Sequence, residues 1–190
     1  MKKLLLTSIL FLFTLVSFAQ SELPTQTQMP IDSVTGKVIY KTIQKIDSAS
    51  KDELYSRAKV WIATTFNSAN DVIQLDDKTN GQIIIKGKYS FKNYNIDSYI
   101  PLNISIGIKD GKYKIEITEI IYNYFNQMNG INKWETVAIE NIYPISNYEN
   151  GKGWKKIMIE ATNKIAVECS AIISSFNSAM TKPTIQKSEW

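Results

Sequence analysis

Between residues 101 and 120 the chain alternates apolar and polar side chains, in PLNISIGIKDGKYKIEITEI. Asp110-Gly111 stands at its centre, a dipeptide suited to the positive φ angles of a two-residue hairpin turn. Pairing Lys109 with Lys112 sets the register. Ile108 then faces Tyr113, Ile106 faces Ile115 and Ile104 faces Ile117, so both strands present one apolar face. The other face collects Gly107 with Lys114, Ser105 with Glu116 and Asn103 with Thr118. Upstream, Gln82 to Phe91 sets Ile83, Ile85, Gly87, Tyr89 and Phe91 against Ile84, Lys86, Lys88 and Ser90, a third strand of the same polarity. Asp71 to Asp76 reads as a short strand before it, with a turn at Asn80-Gly81. Strand character also begins at Lys37, but Val38 to Ile46 carries apolar residues on both alternating sets and leaves its buried face undefined.

Two segments change period. Ser50-Lys51-Asp52-Glu53 has the spacing of a capping box, in which Ser50 accepts from the Glu53 amide and the Glu53 carboxylate returns to the Ser50 amide. Leu54, Ala58, Trp61, Ile62, Thr65 and Phe66 then recur at three and four, one stripe over about four turns that ends at Asn67 to Asn70. A second stripe, Trp154, Ile157, Met158, Ala161, Ile165, Cys169, Ile172 and Phe176, predicts a helix over about 154–179, preceded by Gly151 and Gly153. A sheet with one apolar face requires a cover, and two amphipathic helices are available. The expected fold is α+β: an antiparallel sheet with two helices packed on one face.

The ends read differently. Lys2 and Lys3, the apolar run Leu4 to Val16 and the small residues Ser17 and Ala19 form a cleavable secretory signal over residues 1–19. The apolar run is shorter than the roughly 20 residues that span a bilayer. No cysteine follows the cleavage point to carry a lipid. The expected location is therefore periplasmic or secreted, without a stable membrane anchor. Residues 20–35, polar with two prolines, read as a linker; residues 36–180 form one domain; residues 181–190 are a loose tail. Losing Lys2 and Lys3 takes the 22 basic residues to 20 against 18 acidic ones. A charge near +2 gives no electrostatic case for a nucleic-acid partner.

Composition removes several chemistries. The chain has no histidine and one cysteine, Cys169. Histidine triads, histidine-ligated metals, thiolate zinc sites and intrachain disulfides are thereby excluded. Cys169 lies on the apolar stripe of the second helix, where a small buried hydrophobe is expected. Asp76-Asp77 is the evident carboxylate pair, but neighbours in extended chain point to opposite faces, and a solvated loop is the expectation. Thr35-Gly36-Lys37 resembles part of a phosphate loop, yet Ile31 and Val38 stand where that loop needs glycine and Ser or Thr, and a strand follows where a helix should open. It is read as a turn that opens the domain.

No cofactor is called for and no catalytic residue stands out. Binding is the better reading, with a carboxylate-dependent hydrolase acting on envelope material as the alternative. One surface is the polar sheet face, Lys86, Lys88, Ser105, Lys114 and Glu116. The other comprises three segments rich in Asn and aromatics, FKNYNIDSY, IYNYFNQMNGINKW and NIYPISNYENGKGW, read as loops, with Tyr94, Tyr122, Tyr124 and Trp134 as contact residues. An envelope protein or a glycan is the expected partner.

The run TGKVIYKTIQKIDSASKDELYSRAKVWIATTF, followed by DVIQLDDKTNGQIIIKGKY and IGIKDGKYKIEI, resembles a family of secreted domains of unknown function from Bacteroidota with a TBP-like fold. The likeness lies in order and spacing: a strand, a Ser-Lys-Asp-Glu-Leu-Tyr helix with a tryptophan, a glycine-containing strand and the Asp-Gly-Lys-Tyr hairpin. It covers about residues 36–125. It implies an antiparallel sheet with helices on one face, and brings with it no activity or catalytic residues.

Overall fold

A computed structural model describes residues 22–47, 49–127 and 130–182. The expected signal at 1–19 and most of the expected tail lie outside these residues. The elements are β1 (Tyr40–Lys45), α1 (Lys51–Thr65), the single turn α2 (Ala69–Val72), β2 (Ile73–Asp77), β3 (Gln82–Asn93), β4 (Ile96–Lys109), β5 (Lys112–Thr118), β6 (Ile121–Asn126), β7 (Lys133–Ala138) and the long α3 (Lys152–Thr181). Two 3-10 turns, Ile139–Asn141 and Ile145–Asn147, connect β7 to α3.

The strands form one antiparallel sheet, ordered β1-β5-β4-β3-β2. The β4–β5 hairpin pairs Lys109 with Lys112, Ile106 with Ile115 and Ser105 with Glu116, the register expected from the alternation. Its Asp110-Gly111 turn does a second job. Gly111 donates to the carbonyl of Ala49 and accepts from Ile46, each at 2.9 Å. Asp110 Oδ1 accepts from the Lys51 amide at 2.8 Å. A carboxylate thus sits at the N-terminus of α1, where the unpaired amides and the helix dipole favour it. Of the capping box, the bond from the Glu53 amide to Ser50 Oγ forms at 3.2 Å. The Glu53 carboxylate turns instead to Arg57, one helical turn on.

Both long helices cover the apolar face. Ile83, Ile85, Ile104, Ile106, Ile108, Tyr113, Ile115 and Ile117 beneath them are at most 2 % exposed. Phe176 of α3 stands edge-on to Trp61 of α1 and Tyr113 of β5, at 4.9 and 5.3 Å between ring centres. Polar tips are paired at the rim: Trp61 Nε1 donates to Ser175 Oγ at 3.0 Å, and the Tyr113 hydroxyl to Asn177 Oδ1 at 2.9 Å. Arg57, the only arginine in the sequence, is buried between the helices and donates to the Met180 carbonyl as well as to Glu53. It holds the C-terminal end of α3 against α1. Cys169 is fully buried on the same stripe, and burial pushes its thiol up to about 12.

Three expectations are corrected. First, β6 and the start of β7 occupy much of the segment IYNYFNQMNGINKW, in place of the expected loop. β6 pairs with the first half of β4 through Ser98 with Tyr124 and Tyr99 with Asn123, and β7 pairs along β6. The chain enters β6 through a kink at Glu119, whose φ is 54°. Second, the short strand expected over Asp71 to Asp76 runs from Ile73 to Asp77, so both members of the Asp76-Asp77 pair lie in β2 and neither in a solvated loop. Third, the polar stretch before residue 36 is docked on the domain. Gln26 donates to Thr162 Oγ1 at 2.9 Å and accepts from the Ile145 amide at 2.8 Å. Asn163 accepts from the Thr27 amide at 2.6 Å and donates to the Thr25 carbonyl at 3.0 Å. Met29 is buried, with its amide on the Tyr143 hydroxyl. Side-chain amides satisfy this strap without any apolar period.

Thr35-Gly36-Lys37 closes a turn at the end of the strap. Asp32 Oδ1 accepts from the amides of Val34 and Thr35 and from the Thr35 hydroxyl, and Ile31 bridges to Val38. The phosphate-loop likeness is therefore only a turn.

Candidate functional site

The face of the sheet away from the helices is open along its length. Strand parity decides what stands there. Cross-strand rows carry Lys41, Glu116, Ser105, Ile84 and Leu75 in one line, and Ile43, Lys114, Gly107, Gln82 and Asp77 in the next. Lys86 lies opposite Asn103 and Lys88 opposite Pro101. Lys86, Lys88, Ser105, Lys114 and Glu116 are thus brought to one face, as the sequence expected.

Their states differ. Glu116 sits between Lys114 at 2.6 Å and Lys41 at 3.3 Å. Burial acts to raise its carboxyl, but the two ammonium groups outweigh it and hold the value below the ordinary carboxylate range. This triad satisfies itself, so Lys114 and Glu116 are a neutralised patch of the face. Lys88 is turned over the ring of Tyr99, with Nζ 4.7 Å from its centre.

The aromatic candidates are divided by the register of β6. Tyr122 is fully buried beneath α3. Its hydroxyl meets Ser98 Oγ at 3.0 Å and Asn93 Nδ2 at 3.3 Å, and Asn93 also donates to the Ile157 carbonyl of α3 at 2.9 Å. Tyr124, on the same side, stacks on Tyr122 at 5.2 Å and leans on Trp154 at 5.7 Å; burial pushes its hydroxyl up to about 12. Both lie on the core side of the sheet, so neither is the surface contact expected from the sequence. Tyr94 is exposed in the β3–β4 turn, with φ 49°, remote from the rows above.

Trp134 does reach the open face, and the structure gives it two companions that the sequence reading did not single out. Tyr99 of β4 meets its ring edge-on at 5.2 Å, and Phe125 of β6 lies tilted at 5.5 Å. The parity of β6 places Asn123 and Phe125 outward while Tyr122 and Tyr124 point in. Trp134 remains half exposed. Beside it lies a hollow of about 410 Å³ lined by Lys88, Ser90, Lys92, Asp97, Tyr99 and Trp134. Lys92 and Asp97 pair across its rim at 3.3 Å. An aromatic shelf flanked by hydroxyl, ammonium and carboxylate groups has the means to stack on a ring and hydrogen-bond its substituents.

The Asp76-Asp77 carboxylate pair is engaged in structural contacts. Asp76 accepts from the Tyr55 hydroxyl and pairs with Lys59 at 2.6 Å, tying β2 to α1. Those hydrogen bonds, from Lys59 and then Tyr55, hold its carboxyl below the ordinary range. Asp77 caps the following turn through Asn80, whose amide and side chain donate at 2.9 and 2.7 Å. Among the described residues no group of three or more carboxylate or thiol side chains is arranged to hold a metal ion, and no helix is long and apolar enough to cross a membrane.

Comparison with solved structures finds the same architecture. A TBP-like protein from Parabacteroides distasonis superposes with a TM-score of 0.66 at 19% identity, covering 82% of this chain and 99% of that one. A DUF4468 family protein from Bacteroides ovatus gives 0.59 at 16% identity, covering 82% and 93%. At these identities the likeness shows the fold. No curated protein matches the chain. The family model of the domain of unknown function DUF4468, with TBP-like fold, matches residues 40–123, from β1 into β6. In its matched strands, the α1 helix between them and its architecture, this segment is similar to the DUF4468 family and shares its TBP-like fold.

Proposed function

We propose that the protein is exported and acts as a non-enzymatic binding module of the envelope or secreted fraction, taking a glycan on the open face of its sheet. The observation that carries this is the Tyr99–Phe125–Trp134 shelf. A half-exposed tryptophan held by two other rings on a solvent-facing sheet contributes little to the core, and it offers a flat apolar surface of the kind that stacks on a sugar ring. Ser90, Lys92 and Asp97 supply the polar partners for hydroxyl groups around it. The lack of histidine in the sequence and the structural engagement of Asp76, Asp77 and Glu116 support binding over hydrolysis.

The test is a titration of the mature chain with a panel of soluble envelope and capsular oligosaccharides, followed by tryptophan fluorescence and calorimetry. At least one member should bind, and Trp134→Ala should weaken it by roughly tenfold or more, the scale of losing one stacked anchor. Equal binding by W134A, or no binding by the wild type across the panel, would refute the shelf as a glycan site. The export half is checked separately: the mass of the protein recovered from the periplasm or medium should correspond to a chain beginning at Gln20.

A further inference from the structure

At the far end of β4 from the aromatic shelf, three lysines stand in one cross-strand row. Lys45 of β1 pairs with Lys112 of β5, and Lys112 with Lys109 of β4. Their parity places all three on the open face, and all three are exposed. Neighbouring strands lie about 4.8 Å apart, so the row spans roughly 10 Å at the backbone. Like charges directly opposite each other in a sheet destabilise it. Several other lysines of the sheet are compensated: Lys41 and Lys114 by Glu116, Lys92 by Asp97 and Lys133 by Glu135, while Lys88 lies over the Tyr99 ring. Lys45, Lys109 and Lys112 have no carboxylate within ion-pair distance among the described residues. Asp110, next in sequence to Lys109, is turned to the α1 N-terminus, and Asp47, two residues after Lys45, forms no ion pair with the row.

The row borders a hollow. Gly107 forms part of its lining, with Ile43, Gln82, Lys109, Lys112 and Lys114 around it, enclosing about 380 Å³. A side chain at Gly107 would fill this space, since its nearest neighbour there is the end of the Lys114 chain at 3.9 Å. Unpaired cations on three adjacent strands beside an unfilled depression fit an anion with charge distributed over several atoms.

We propose that the Lys45–Lys112–Lys109 row and the Gly107 hollow bind a small anion bearing at least two phosphate groups. The phosphates lie along the ammonium row and the remainder of the ligand rests over Gly107. About ten residues of β4 at roughly 3.3 Å each separate Tyr99 from Lys109, so this site is distinct from the aromatic shelf and does not depend on it.

The probe is inorganic tripolyphosphate, titrated by calorimetry at low and moderate salt against the mature chain. Saturable one-to-one binding that weakens with salt is expected. The variant K45Q/K109Q/K112Q should bind at least roughly tenfold more weakly, the loss of one charge-assisted hydrogen bond or more. A control of equal charge change elsewhere, K37Q/K152Q/K182Q, should bind within about twofold of wild type. Equal weakening in both variants would mean diffuse attraction and would overturn the site, as would no binding by the wild type at low salt. Gly107→Leu, which fills the hollow and leaves the lysines, should also weaken binding; unchanged affinity overturns the role of the hollow. Vesicles with and without anionic phospholipid form the second arm: retention on anionic vesicles without binding of free tripolyphosphate would assign the row to a lipid surface instead. The row variant also has a signature without ligand, because removing the repulsion should raise its melting temperature.

Discussion

Two glycines with nearly the same backbone angle separate conformational strain from close approach. Gly36 has φ +69° and Gly81 has φ +67°. A Cβ at Gly36 would meet nothing within 4 Å, whereas at Gly81 it would stand 2.2 Å from the carbonyl oxygen of Ile108. That approach exists because the Ile108 amide donates to the Gly81 carbonyl at 2.7 Å, joining the β2–β3 turn to β4. Alanine in the left-handed region costs about 1–2 kcal/mol at either position. Part of this is offset, by about 0.4–1 kcal/mol, through the lower entropy of the unfolded chain. At Gly81 the clash must also move the backbone and break the bond to Ile108, which adds about 1–2 kcal/mol. Gly36→Ala should therefore lose about 1 kcal/mol or less, and Gly81→Ala about 2–3 kcal/mol. Urea unfolding followed by far-ultraviolet circular dichroism, with the slope checked for constancy, measures both. Equal losses would refute the claim that the turn is pinned against β4.

Other perturbations follow from single contacts. Arg57→Met leaves the Met180 carbonyl and the Glu53 carboxylate without their shared partner; a loss of about 2–4 kcal/mol is expected in chemical denaturation, and Arg57→Lys should recover only part of it. Tyr122→Phe removes the hydroxyl between Ser98 and Asn93 and should cost about 1–2 kcal/mol while leaving oligosaccharide and tripolyphosphate binding unchanged. Asp76 has its carboxyl lowered by Lys59 and Tyr55, so its contribution is present above the ordinary carboxylate value and lost as pH falls through the lower folded one. The stability difference between wild type and Asp76→Asn should thus shrink below about pH 4; a difference that grows on acidification would contradict the assignment. Cys169, buried with its thiol pushed up to about 12, should resist Ellman's reagent in the native protein and react fully in guanidinium; rapid native labelling would place it at the surface.

The parts of the fold that were legible share a local constraint that fixes parity. Asp110-Gly111 allows a two-residue turn, and that turn sets every cross-strand partner from Lys109–Lys112 to Asn103–Thr118. The helices were legible because each buries one stripe at a 3.6-residue period. β6 was not legible because it is apolar on both faces. Tyr122 and Tyr124 pack under α3 while Phe125 joins Trp134 outside, so Ile-Tyr-Asn-Tyr-Phe-Asn shows no alternation. β1 hides its parity in a similar way: Val38 and Tyr40 are buried while Ile43 is 60% exposed beside the Gly107 hollow. The strap at residues 25–29 was invisible for another reason, since Gln26 and Asn163 dock it by hydrogen bonds that leave no period in the sequence. For the candidate sites, the polar face was legible from parity alone; Tyr99 and Phe125 required the pairing of β4 with β6.

The distribution of charge and aromatics over the open face bears on why that face stays uncovered. A sheet needs cover on one side only if its other side can be solvated, and Lys86, Ser105 and the Lys41–Glu116–Lys114 triad meet that need. Two features of the face exceed it. The Lys45–Lys112–Lys109 row places repelling charges opposite one another where Thr or Gln would solvate the face equally well. Trp134 stays half exposed where a polar residue would suffice. Neither strengthens the core, because the side chains that fix α1 and α3 to the sheet all lie on the opposite face. Strand parity therefore separates the side chains that hold the fold from those of the two proposed sites. Within β4, Ser98, Ile104, Ile106 and Ile108 point inward and support the fold, while Tyr99, Gly107 and Lys109 point outward, where the two proposed sites lie.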